Sequence, residues 1–104
     1  MGWNLYVIRL KKSILTNRRF MSRNPDYMPG RPCVYVGLTF HAPSERLAQH
    51  LSGTRSASIV RRFGKNLVPS ECRVIGPMSR QRAQNKEAAL AERLRTRGFA
   101  VWSN

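Results

Sequence analysis

Tyr6, Tyr35, Arg46, His50 and Glu87 are the side chains in this sequence best suited to work together on a phosphodiester. Two phenols and an imidazole can orient water and move protons, a guanidinium can offset charge growing on a phosphate, and a carboxylate can hold a cation. Tyr6 lies in Leu5-Tyr6-Val7-Ile8 and Tyr35 in Val34-Tyr35-Val36-Gly37. Other chemistries are poorly served. His41 and His50 lack Cys or His partners at zinc spacing, there is no phosphate-binding glycine loop, and a Ser-His-Asp triad would need the lone Asp26. With 5 Asp plus Glu in all, a glycosidase-type carboxylate pair is also poorly supplied.

The elements that must position these groups follow from the apolar patterning. Trp3 to Leu10 predicts a strand with Tyr6, Ile8 and Leu10 on one face and Leu5 and Val7 on the other. Cys33 to Leu38 predicts a second strand, with Cys33, Tyr35 and Gly37 opposite Val34, Val36 and Leu38. Pairing the two puts both phenols on one side. Residues 11–32 between them have basic loop composition. Ala42-Pro43-Ser44 opens a helix that Gly53 ends, placing Arg46 and His50 four apart on one face beside a Leu47 and Leu51 stripe that docks on the sheet. Arg46 and His50 are then expected at the edge of that contact. A second helix is expected from Ser56 to Phe63, stopped by Gly64, with Ile59, Val60 and Phe63 inward and Arg61, Arg62 and Lys65 outward. Arg73 to Ile75 reads as a third strand. The longest helix should start after Ser79, run to Arg97 and give way through Gly98 to a strand over Phe99 to Trp102. The expectation is one α/β (α+β) domain over residues 1–104, a small mixed or antiparallel sheet of three to four strands flanked by about three helices.

On the long helix, Ala83, Leu90, Ala91 and Leu94 define an apolar stripe, and Glu87 falls on the same line. A buried carboxylate is normally paired, neutralised or bound to a metal. A salt bridge to an arginine and metal ligation are therefore both open for Glu87, whereas Glu92 lies on the solvated side. The plain alternatives for the others are core packing for Tyr6 and Tyr35, a salt bridge from Arg46 to Glu45 or Glu71, and a helix-surface or capping role for His50.

Composition points to the partner. Nineteen Lys plus Arg against five acids give a formal net charge of +14 on 104 residues, a surface that attracts polyanions. Such binding weakens with salt, at a log-log slope of about −0.9 per duplex phosphate neutralised. Arg18, Arg19, Arg23, Arg55, Arg61, Arg62 and Lys65 are the expected backbone contacts. No apolar run approaches the roughly 18 residues of a membrane helix, and no signal-peptide or lipidation pattern stands at the N-terminus. A membrane partner is not expected. Cys33 and Cys72 are expected to be reduced packing residues, and the cytoplasm is the expected location.

Taken in order, Tyr6, Tyr35, Arg46, His50 and Glu87 resemble the GIY-YIG nuclease family, the match spanning roughly residues 5–102. The resemblance implies a metal-dependent endonuclease that hydrolyses nucleic acid, DNA ahead of RNA, with these five residues catalytic and Glu87 holding one Mg2+ or Mn2+. It also implies an external specificity partner or a homodimer for cutting both strands. The chain departs from the family pattern in three places. Asn4-Leu5-Tyr6 stands where the family has Gly-Ile-Tyr, residues 11–32 form a basic insertion between the tyrosines, and the asparagine that often follows the glutamate helix has its sole counterpart in Asn104. That spacing keeps Glu92 as a weaker alternative metal ligand. The rival reading is a non-catalytic basic nucleic-acid-binding module or ribonucleoprotein component.

Overall fold

The computed structural model describes residues 2–52 and 58–103. The expected start of a helix at Ser56 and its predecessor's glycine stop at Gly53 lie outside the described residues. The chain runs through β1 (Trp3–Leu10), α1 (Arg18–Ser22), β2 (Cys33–Thr39), α2 (Pro43–Ser52), α3 (Ser58–Phe63), β3 (Gly64–Leu67), β4 (Arg73–Gly76), α4 (Arg80–Thr96) and β5 (Ala100–Ser103), with 3-10 turns at Lys12–Thr16 and Pro69–Glu71. The class is the mixed α/β architecture expected from sequence.

β1 is the hub of the sheet. It pairs antiparallel with β2 in continuous register, Asn4 opposite Thr39 through Leu10 opposite Cys33. Its other edge is shared by β3 at the Ile8–Leu10 end and β4 at the Trp3–Leu5 end. β5 adds parallel to β2 and places Trp102 beside Tyr35. Among the described residues the sheet therefore has five strands, where three to four were expected. β3 went unread because Gly64-Lys65-Asn66-Leu67 lacks apolar alternation. Gly64 follows the last residue of α3, as expected, and also opens this strand.

Burial on both faces explains why β1 and β2 are apolar throughout. Tyr6, Ile8, Leu10, Cys33 and Tyr35 form one core layer with Ile14, Phe20, Ile59 and Val60. Leu5, Val7, Val34 and Val36 form the other with Leu90, Ala91, Leu94 and Phe99. The face assignments read from alternation are all met. α4 starts on Ser79, whose Oγ accepts a hydrogen bond from the Arg82 N–H at 3.2 Å. It gives way to β5 through Gly98 at φ 87°, a left-handed conformation that a glycine adopts without steric cost.

The segment 11–32 is more than a loop. Its widely spaced apolar residues, hidden by basic neighbours in the sequence, are core members, since Ile14 and Phe20 are fully buried. Asn24 then caps the outer edge of β5. Its Oδ1 accepts from Val101 N at 2.7 Å and its Nδ2 donates to the Val101 carbonyl at 3.0 Å and the Phe20 carbonyl at 2.8 Å. One amide side chain thus supplies both partners that an open edge residue lacks. Asn24→Ala leaves the buried Val101 N–H without an acceptor, and urea denaturation should show a loss of about 3 kcal/mol with an unchanged m-value.

Candidate active site

Register and a glycine bring the first phenol into place. Tyr6 lies directly opposite Gly37, and a Cβ on Gly37 would stand 2.3 Å from the Tyr6 ring and hydroxyl, below any tolerable contact. The missing side chain is the space that the Tyr6 phenol occupies. From there its hydroxyl makes a 2.9 Å hydrogen bond with His50 Nε2. The Tyr35 ring lies 6.0 Å from Tyr6 and meets the His50 ring edge-on at 5.5 Å. Four side chains expected to cooperate thus gather from three elements, Tyr6 from β1, Tyr35 from β2, and Arg46 and His50 from α2.

The helix is turned differently from the sequence expectation. His50 is fully buried and Leu47 packs against the same core, while Leu51 is 48% exposed. The histidine, expected at the edge of the contact, takes the inward position because its ring finds a hydrogen-bond partner there. Arg46 is half-buried, with its Nη1 donating to Gln49 Oε1 at 2.9 Å. The acids suggested as its partners are otherwise engaged, Glu45 with His41 at 3.7 Å and Glu71 with Arg97 at 3.0 Å.

Electrostatics set the protonation states. Burial raises the Tyr6 phenol well above its usual range, Tyr35 adds to the rise, and the Arg46 guanidinium opposes both without overcoming them. The Arg46 guanidinium therefore does not make Tyr6 a phenolate. Burial, assisted by Arg46, lowers His50 to about 4, so its imidazole is neutral at physiological pH. A protonated phenol against a neutral imidazole is a pair through which one proton can pass.

Glu87 is placed apart from this cluster. It is 5% exposed on α4, whose Leu90, Ala91 and Leu94 pack on the opposite face of the sheet. Among the described residues its carboxylate has no hydrogen-bond or ion-pair partner, and burial alone raises it to about 7. No described side-chain polar atom is both sealed and unpartnered, so the Glu87 oxygens keep a contact with solvent. As a hard oxygen donor, Glu87 is the residue here that would hold one Mg2+ or Mn2+. No group of three or more His, Cys, Asp and Glu side chains gathers among the described residues. Glu92 is exposed and ion-paired with Arg95 at 3.8 Å.

The expected backbone-binding cations divide. Arg19 and Arg62 line one hollow, Arg23 lies 4.0 Å over the Trp102 ring, and Lys65 lines a separate hollow with Arg9 and Lys12. Arg18 and Arg61 are exposed. Arg55 and Asn104 lie outside the described residues. Trp102 and Gly37 were not singled out for a functional or site-shaping part in the sequence; the cross-strand register Tyr6 with Gly37 was the available signal for the glycine. Both cysteines are free thiols, and no described helix is long and apolar enough to cross a membrane. No protein-family model, curated protein or solved structure matches the chain.

The Glu87 shift fixes a pH dependence. An acid whose folded value, about 7, exceeds its unfolded value binds more protons in the fold, so stability falls as pH rises from the ordinary carboxylate range through neutrality. Glu87→Gln removes that loss. Thermal melts of the two proteins should coincide near pH 4 and diverge by pH 8, with Glu87→Gln the more stable by on the order of 2–3 kcal/mol. Added Mg2+ or Mn2+ should raise the melting temperature of the unsubstituted protein alone at pH 8.

Proposed function

We propose that the chain is a metal-dependent endonuclease of the GIY-YIG kind, hydrolysing phosphodiesters of nucleic acid, DNA ahead of RNA, in the cytoplasm. The observation that carries this reading is the gathering of Tyr6, Tyr35, Arg46 and His50 around one buried hydrogen bond. The net charge of +14 supplies the affinity for a polyanion.

The chemistry asks little of each group. Arg46, half-buried, meets the phosphate and offsets the charge that grows on it in the transition state. Tyr6 takes the proton of an attacking water as its own proton passes to the neutral Nε2 of His50 across 2.9 Å, which spares the cost of forming a free phenolate. Tyr35 orients the water and holds the imidazole edge. Glu87 would hold a divalent ion, which when bound would polarise a phosphate oxygen. A homodimer or a specificity partner would supply the second cut of a duplex.

A second reading has its own support. Tyr6, Tyr35 and His50 are 1%, 1% and 0% exposed, which is the burial of a satisfied polar core, and a basic domain built on such a core would bind nucleic acid without cutting it.

Labelled single-stranded DNA, duplex DNA and RNA incubated with Mg2+ or Mn2+ separate the two. The nuclease reading expects metal-dependent cutting that chelator and Glu87→Gln abolish, and Arg46→Ala should lower turnover by about 100-fold or more with affinity changed only a few-fold. Binding without cutting on every substrate establishes the binding module. Equal loss of turnover and affinity in Arg46→Ala removes its transition-state role.

A further inference from the structure

On the face of the sheet that carries the phenol cluster, one strand beyond Tyr35, a hollow of about 130 Å³ opens between the 17–23 segment and α3. Asn17 and Arg19 line one wall, Ser58 and Arg62 the other, with Phe63 and Trp102 beside them. Arg19 and Arg62 come from different elements and both border this space, Arg62 with its guanidinium 5.4 Å from the Phe63 ring centroid. Among the described residues neither has a carboxylate partner, and no acid lines the hollow. Asn17 uses its Oδ1 to accept from Phe20 N at 2.9 Å, which leaves its amide N–H groups as donors. The larger hollow nearby, about 600 Å³, offers Arg23 and Arg95 but also Asp26 and Glu92, so it has no net attraction for an anion.

The aromatic wall is built as a stack. The Phe20 and Trp102 rings lie within 16° of parallel with centroids 6.4 Å apart, and the Arg23 guanidinium covers Trp102 at 4.0 Å. Phe20 is fully buried and anchors the inner end. Arg23, which borders the larger hollow, and Trp102, which borders this one, join the two as a flat cation against an indole, a surface on which a nucleobase can stack. Arg19 and Arg62 border the hollow that Trp102 also borders, and a guanidinium can fork onto a phosphate.

We propose that this hollow is a second nucleic-acid subsite, taking one phosphodiester of an unpaired strand between Arg19 and Arg62 and the adjoining base on the Arg23–Trp102 stack. It rests on the reading of the chain as a nucleic-acid-binding protein and deepens it. The basic 11–32 insertion, through Arg19 and Arg23, thereby selects single-stranded character beside the phenol cluster.

Trp3 and Trp102 are the two tryptophans, so Trp3→Phe leaves Trp102 as the sole indole reporter. In that background a short oligothymidylate is titrated, with binding followed by anisotropy of a labelled copy and the site by Trp102 emission. The subsite requires Trp102 emission to change and saturate with binding. It also requires Arg19→Gln/Arg62→Gln to weaken binding about tenfold or more and to flatten the log-log salt slope by about 1.4, two single-strand contacts' worth. Arg82→Gln/Arg93→Gln, the same charge loss placed on α4, should do much less. Binding with silent Trp102 emission, or with equal effects from the two double variants, overturns the subsite and leaves nucleic-acid binding intact. No anisotropy change at low salt with any strand overturns both.

Discussion

The hydrogen bond between the Tyr6 hydroxyl and His50 is the constraint around which the rest of this structure is arranged. A phenol and an imidazole carry polar atoms that a core cannot accept singly, and each is tolerated because the other satisfies it. The pairing fixes the rotation of α2, turning His50 inward and leaving Leu51 in solvent. It also fixes what may stand opposite Tyr6 on β2, since Gly37 alone leaves the ring its room. The polar pair and the hairpin register are therefore one constraint.

The two core layers differ in their electrostatics. The Tyr6 layer holds a protonated phenol, a neutral imidazole and a guanidinium, so its net charge is that of Arg46. On the side of the other layer stands Glu87, a carboxyl that has no partner among the described residues and whose ionisation burial resists. In a chain with 19 basic residues, an unpaired buried acid is conspicuous. Among the described residues Glu71 and Glu92 pair with arginines and Glu45 lies beside His41, while Glu87 is left with burial and a contact with water.

Much of this was legible in the sequence where periodicity is strong. The two faces of β1 and β2, the stripe of α4 with Glu87 on it, the Ser79 cap and the Gly98 exit all follow from alternation, helical spacing and end residues. The parts that escaped share a physical cause. β3 is polar and short, held by pairing to β1 rather than by apolar side chains. Residues 11–32 read as loop because Ile14 and Phe20 are isolated among cations, and Asn24 does its work through an amide that sequence patterning cannot distinguish from a turn residue. The inward turn of His50 was missed because a histidine's burial depends on a partner brought from another strand. Separation of Glu87 from the phenols likewise depends on which face each helix covers, a property of the tertiary packing.

Single-turnover cleavage by Tyr6→Phe, measured beside its thermal melt, bears most directly on whether the buried pair is chemistry or core. Loss of the hydroxyl removes the proton path and keeps the ring. The account predicts a fall in the cleavage rate of at least about 100-fold while the folded fraction at the assay temperature stays near complete. A Tyr6→Phe protein that cuts as fast as the unsubstituted chain would contradict it.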